Sequence, residues 1–515
     1  MPALVLLAVA ARIPAFTAPL SADEGGFLLV ASQWHPGTSL YGDYWVDRPP
    51  LLLALFGVAH LLGGELALRI LGCVAAATIV ALAGAVGRRV AGPRGGGWVA
   101  LATAGLVSTP LNDGWQVSGE LLAVPFVLAG LLWWLQARDG SPHPVWRAAA
   151  AGAAGAAALL VKQSFADVFV VVAVLCVLDA LAARRTGWSV SPTAPLVGGR
   201  QALLAGFVAG AVVTTAGVVL LAVTRGTSVG GLWEAVVVFR TQASHVIATA
   251  TDSGTSARLD RLPLAVLASG AVLVVLGLVV RSVLLRVDRL AQACVALLAW
   301  ETFAVVAGGS YWLHYLIGLI PGLALALAVT LAPGERRQPS LRHVLARHAR
   351  ARPRVDLAPK VGRVVAVFAA GSAVVTLGIQ GTHPASTSTT LAAGEWLKHH
   401  HRAGDTAVLA YGQPNLLVAA GVTSPYPQLW SLPVRVRDPR LRDLVSVLRG
   451  PQAPDWVLVD GQLATWGVDA VRAERVVTHR YREVAEVCGW VVYLRDGVQR
   501  PHAVRHSCEA MASRA

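Results

Sequence analysis

The sequence predicts a polytopic α-helical membrane protein that ends in a small α/β domain. Three observations carry this expectation. Apolar runs close to 20 residues long recur as far as residue 380, and a bilayer core takes roughly 20 apolar residues per helix. The chain is 55% hydrophobic and only 14% charged, with a mean hydropathy of +0.58. Beyond residue 380 the pattern changes to a helical stretch followed by short strand-like runs.

Eleven spans are expected, near residues 3–20, 65–87, 96–110, 120–137, 147–161, 165–182, 201–223, 263–280, 290–308, 311–332 and 361–380. The third and fifth, about 15 residues each, are the shortest that reach across a bilayer. The first run begins at residue 3 with no basic segment ahead of it and no cleavage site, so it is expected to stay as a span. Ala/Gly-rich stretches such as AAAAGAAGAAALL suit close helix packing in lipid.

A net charge of +14 and a pI near 10.3 would point to nucleic acid in a soluble protein. Here the basic residues gather in loops between spans, which makes them a topology signal and implies no nucleic-acid partner. Arg88-Arg89, Arg138, Arg184-Arg185, Arg281–Arg289 and residues 335–363, with nine Arg or Lys against two acids, are expected on the cytoplasmic side. The basic loop 333–360 carries no aromatic residue for base stacking and fits an anionic membrane surface. This order leaves residues 21–64, 111–119, 162–164, 224–262 and 381–515 outside a plasma membrane, and so predicts an extracytoplasmic tail. Lysine occurs only at 162, 360 and 398; the arginine bias, with abundant Ala, Gly and Val, suggests a GC-rich bacterial genome.

Within the tail, GEWLKHHHRAGDTAVLAYG reads as a helix and a strand, and PDWVLVDG and GWVVYLRDG as further strands. The expected division is residues 1–380 in the membrane and 381–515 outside it. Cys73, Cys176 and Cys294 lie in apolar runs and behave as small hydrophobes. Cys488 and Cys508 lie in the tail, where a disulfide and two free thiols are both open readings. No Cys/His cluster has zinc-site spacing, and no metal or cofactor is expected.

The chemistry concentrates in SADEGGFLLVASQWHPGTSLYGDYWVDRPPL, residues 21–51, where Asp23, Glu24, Asp43, Asp47 and Arg48 sit between two apolar segments. Ionisable groups at a membrane edge are costly, which raises the odds of function. Two structural readings stand beside that one. Ser21 or Asp23 fits an N-cap for a helix starting at Gly25, and Asp47-Arg48 fits a surface ion pair ahead of a helix begun at Pro49.

This loop resembles the first outer loop of the GT-C membrane glycosyltransferases, in the branch of the protein O-mannosyltransferases and lipid A aminoarabinose transferases. The shared pattern is an acidic pair after the first span, Gly and Tyr midway, then acid, Lys or Arg, and Pro-Pro. Three further segments are similar to that family: VSGELLAVPF (117–126), LLVKQSF (159–165) and GGSYWLHYLIGLIPGL (308–323). The resemblance implies a GT-C fold over residues 1–380 and transfer of a sugar, mannose or a pentose, from a polyprenyl-phosphate donor to a cell-envelope acceptor. It implies Asp23 as the base for the acceptor hydroxyl, with Glu24 orienting substrate. Arg48, Lys162, His314 and Tyr315 would hold the donor phosphate, Asp47 would orient Arg48, and Asp43, Tyr44 and Glu120 would support substrate. A base without a paired nucleophilic carboxylate suits inversion. The chain departs from the pattern at Gly25-Gly26-Phe27, where the family often has an aromatic residue or Arg, and it lacks MIR-type modules. Acidic residues near this loop bind a divalent metal in some GT-C enzymes, which is not expected here. The competing expectations are a lipid-linked sugar flippase or transporter, and a non-catalytic envelope assembly protein.

Overall fold

The computed structural model describes residues 1–185, 195–249, 253–284, 288–333, 357–382, 389–464 and 467–500. Most of the expected basic loop 333–360, and Cys508, lie outside them. Helices α1 (Pro2–Ala10), α2 (Ala22–Gln33), α3 (Pro50–Leu61), α4 (Glu65–Ser108), α5 (Gly119–Arg138), α6 (Pro144–Val161), α7 (Asp167–Arg185) and α8 (Pro195–Thr224) open the chain. They are followed by α9 (Val229–Trp233), α10 (Phe239–Ala248), α11 (Ser253–Ala268), α12 (Ala271–Leu284), α13 (Arg289–Ala307), α14 (Ile320–Leu331) and α15 (Leu357–Thr382).

Among the described residues, seven helices are long and apolar enough to cross a membrane, or eight if α11 and α12, bent by 56°, form one broken span. One of the seven, α4, holds two expected spans. Gly92 has φ 77° and precedes Pro93, so the helix breaks there and folds back on itself. A Cβ on Gly84 would lie 3.1 Å from that of Ala100, and one on Gly87 2.8 Å from that of Val99, spacings only an antiparallel hairpin produces. The expected spans at 3–20 and 165–182 fall on a shorter apolar helix, Pro2–Phe16, and on α7, which carries Asp167, Asp179, Arg184 and Arg185. Residues 224–262, expected as an outer loop, instead contain α9, a π-helical turn at Glu234–Val238, α10 and the start of α11.

Small residues set the helix spacing. Carbons added at Gly152 and Gly210 would strike the backbone carbonyls of Phe207 and Ala149, so α6 and α8 pack backbone to backbone. The basic clusters meet at one end of the bundle. Arg89 pairs with Asp139 (2.5 Å), and Arg138 and Arg289 both pair with Asp179 (2.9 and 2.5 Å).

The C-terminal domain carries β1 (Ala407–Ala410), β2 (Trp456–Asp460), β3 (Tyr481–Val487) and β4 (Trp490–Arg495) in the order β1-β2-β4-β3. Strand β1 pairs parallel to β2, and the other pairings are antiparallel. Side chains alternate as the strand period requires. Leu409 and Leu458 join the core that continues into the membrane part, while Val408, Val457 and Val459 pack with Leu444, Val476 and Val477 on the opposite face. The polar alternation of YREVAEV hid β3 from sequence reading. Cys488, at the turn between β3 and β4, is disulfide-bonded, and Cys73, Cys176 and Cys294 are free thiols.

This domain sits on α2. Helix α16 (Asn415–Ala420) packs across it, and Asn415 donates its side-chain amide to the carbonyl of Leu20 (2.9 Å). The Gly25-Gly26 pair now has a physical reason. A Cβ on Gly25 would come within 2.5 Å of the Asn415 Cα, and one on Gly26 would enter the Trp430 ring. The contact at Gly25 is with backbone, so it cannot be relieved by a rotamer change. Gly25→Val is expected to undock the domain without blocking membrane insertion. Protease cleavage between the two parts in detergent should then run about tenfold faster than in the wild-type protein, since local opening sets that rate.

Candidate active site

Ser21 is the N-cap of α2, and the helix begins at Ala22 rather than at Gly25. Ser21 and Glu24 form a capping box: the Ser21 hydroxyl accepts from the Glu24 N–H, and Glu24 accepts from the Ser21 N–H (2.8 Å). Glu24 also takes a charge-assisted bond from the buried Arg69 (2.6 Å) and another from the Val117 N–H (2.8 Å). Its side chain is 1% exposed, and its bonds hold the loop together. With the cap assigned to Ser21, Asp23 is left for other work.

Asp23 opens onto a cavity of about 450 Å³ between the membrane part and the C-terminal domain. One of its oxygens accepts from the Trp430 indole (3.1 Å), and that ring packs against Phe27 with 5.5 Å between centroids. The same cavity exposes Arg48, Asp47, His314 and Tyr315. Pro49 and Pro50 begin α3, and the pair just before them is not a surface ion pair. Asp47 is 7% exposed and is gripped by Arg48 (2.6 Å) and by Arg240 of α10 (2.7 Å). Burial pushes the Asp47 carboxyl up, but the two guanidiniums outweigh it and hold the group below the usual carboxylate range. Asp47 and Asp23 likewise raise Arg48 against its own burial.

Glu120 and Lys162 form a buried ion pair beside this cluster, and the Lys162 ammonium lies 4.3 Å from the centroid of the Tyr315 ring. They line a second cavity of about 270 Å³ that shares Arg240 and Tyr315 with the first and opens between Phe303, Trp300 and Val305. A third, almost wholly apolar groove of about 430 Å³ starts at Pro49-Pro50 and runs along Leu160, Val219 and Trp233. The structure thus brings together Asp23, Asp47, Arg48, Glu120, Lys162, His314 and Tyr315. It does not bring in Asp43, which is exposed and lines no described cavity, or Tyr44, whose hydroxyl accepts from the Ser424 N–H (2.8 Å) and docks the C-terminal domain. The expected substrate contacts at Asp43 and Tyr44 are corrected on that ground.

Among the cavity residues that escaped sequence reading are Arg240, Asp113, Arg258 and Trp430. Arg240 lies in a stretch with no motif, just after the π-helical turn, and such turns often mark functional sites. Asp113 has φ 46°, a conformation Asp tolerates, and burial pushes its carboxyl up against the pull of His314. Among the described residues no group of three or more His, Cys, Asp or Glu could hold a metal ion.

The architecture, a helical membrane part with an appended C-terminal domain, is a fold shared with two solved proteins. ArnT from Cupriavidus metallidurans, solved bound to undecaprenyl phosphate, matches 95% of this chain over 97% of its own length, at a TM-score of 0.58 and 14% identity. The oligosaccharyltransferase of Archaeoglobus fulgidus in its apo form matches 96% of this chain and 74% of its own, at a TM-score of 0.53 and 13% identity. No protein-family model matches the sequence, and no curated protein is similar to it at the sequence level.

The bond from Trp430 fixes which Asp23 oxygen faces the cavity. Trp430→Phe keeps an aromatic ring against Phe27 and removes the N–H, so docking of the C-terminal domain is expected to weaken by about 1.5–3 kcal/mol, the value of one hydrogen bond to a charged group, read as faster protease cleavage between the two parts in detergent.

Proposed function

We propose that this protein is a glycosyltransferase that moves a sugar, mannose or a pentose, from a polyprenyl-phosphate donor to a cell-envelope acceptor at the outer face of the plasma membrane. The observation that carries the reading is one cavity holding a carboxylate, Asp23, beside a buried cation cluster, with apolar grooves leading to that cluster from the side of the membrane helices. The prenyl chain takes a groove, the phosphate meets Arg48, Arg240 and Lys162, and the sugar enters the cavity.

The reaction asks little of an acid, because phosphate is already a good leaving group. It needs a base for the acceptor and positive charge for the phosphate. Asp23 accepts the acceptor hydroxyl proton, and that oxygen attacks the anomeric carbon. The bond from that carbon to the phosphate oxygen breaks, and its electron pair leaves with the phosphate. Arg48 binds two phosphate oxygens through its planar fork. Arg240 and Lys162 add charge, and Asp47 and Glu120 hold these three cations in place. Attack from the face opposite the phosphate inverts the configuration.

Asp23→Asn, assayed with a radiolabelled polyprenyl-phospho-sugar and membrane extract, is expected to lose about 10²–10⁴-fold in transfer rate, the usual contribution of a general base. Donor binding should persist, and full activity in that variant would rule out the base assignment. The outer placement is checked by a reporter fused after residue 500, which should be active only outside the cytoplasm.

A further inference from the structure

Strands β1 and β2 run parallel, and their carboxyl ends both open onto the cavity over Asp23. Strand β1 leads into Tyr411, Gly412 and Gln413, and β2 ends on Asp460, all of them cavity-lining. In open α/β sheets this is the edge at which ligands bind, because the loops leaving adjacent parallel strands part there and leave a crevice. The reaction described above uses none of these groups. Asp460 and Gln413 are exposed to the cavity, and among the described residues neither side chain makes a hydrogen bond or ion pair.

Building on the glycosyltransferase reading, we infer that this edge is the acceptor-binding wall and that the acceptor is a neutral carbohydrate. A carboxylate and a primary amide side by side offer several acceptor positions and two N–H donors, which suits the mixed donor and acceptor character of sugar hydroxyls. Charge gives no preference for an anionic acceptor: four arginines line the cavity against four aspartates, with Asp47 holding Arg48 and Arg240, and Asp23, Asp113 and Asp460 standing against the other two. Of the remaining cations, Arg258 lies over the Trp312 ring at 4.4 Å and donates to the Ser310 carbonyl, and Arg435 faces the Val246 carbonyl (3.5 Å). An extended peptide is disfavoured by backbone geometry. The outer edge of β1 is covered at its start, where the Ala407 N–H donates to the Thr423 carbonyl and Thr406 bridges Thr423, which shortens the edge open to strand addition.

The test uses the full-length protein in lipid nanodiscs with a synthetic polyprenyl-phospho-sugar. The acceptors compared are neutral di- to tetrasaccharides, a phosphorylated glycolipid and a Ser/Thr-containing peptide. Asp460→Ala and Gln413→Asn are the variants; the second keeps a residue that tolerates the positive φ of that position. Transfer to a neutral oligosaccharide, with acceptor KM rising at least about tenfold in each variant and the rise absent from donor KM, supports the inference. Transfer confined to the peptide or the phosphorylated glycolipid overturns it, as does an unchanged acceptor KM in both variants. Those results leave the glycosyltransferase reading standing. Neither transfer nor donor hydrolysis with any acceptor would remove both.

Discussion

The buried ion pair between Glu24 and Arg69 is the contact on which the site is built. Both side chains are 1% exposed, and a charge pair taken this far from water survives only with its remaining valences filled. Glu24 meets that demand with the N–H groups of Ser21 and Val117, and Arg69 meets most of it with the carbonyls of Ala18 and Pro19, its Nε having no partner among the described residues. Four chain segments are thereby tied at one point: the end of the first apolar helix, the start of α2, helix α4 and the loop ahead of α5. Removing one partner of such a pair costs on the order of 3–5 kcal/mol, because the other is left buried and alone. Asp23 owes its place to this knot, one residue before Glu24 on the first turn of α2.

A second constraint follows. Because α2 is pinned from below, its upper face is a fixed platform, and Gly25-Gly26 makes that platform flat enough for the C-terminal domain to rest on backbone. The domain then contributes to the site: Trp430 reaches Asp23, and Trp45 donates its N–H to the Pro427 carbonyl (2.9 Å). A glycine pair that departs from the GT-C pattern is thus a docking surface, and the cavity over Asp23 exists only with both parts in place.

The fold was legible where physics is local. Hydropathy placed the apolar helices because lipid demands about 20 residues per crossing, and short apolar, β-branched runs bounded by turn residues placed β1, β2 and β4. The hairpin within α4 was visible as two expected spans, and Gly92-Pro93 was the turn signal between them. In the site, Asp23, Arg48, Lys162 and His314 came from motif likeness, and their meeting in adjoining cavities depends on packing that no window of sequence reports. Arg240 and Trp430 were illegible for that reason: each is an ordinary residue in its own segment and acquires a partner only across 193 and 407 positions of chain, at Asp47 and Asp23. Glu24 was legible as an acid but not as a strut, since its partner Arg69 reads from sequence as a stray charge inside a span.

That stray charge bears on the choice between chemistry and passage. Arg12 and Arg69 interrupt apolar runs, as polar groups along a transport pathway do. In the structure neither lies free along a pathway. Arg12 donates to the carbonyls of Gly114 and Trp115, with Gly72 leaving room for its guanidinium, and Arg69 is spent on Glu24. Both arginines fasten loops at the end of the bundle where Asp23 and Arg48 lie. At the opposite end, Arg89, Arg138 and Arg289 pair with Asp139 and Asp179. Among the cations that meet open cavity, Arg48, Arg240 and Lys162 cluster together with a carboxylate facing them instead of forming a succession of sites across the bilayer. A single polar chamber under a docked domain suits a reaction between a lipid-borne sugar and an acceptor arriving from the other side.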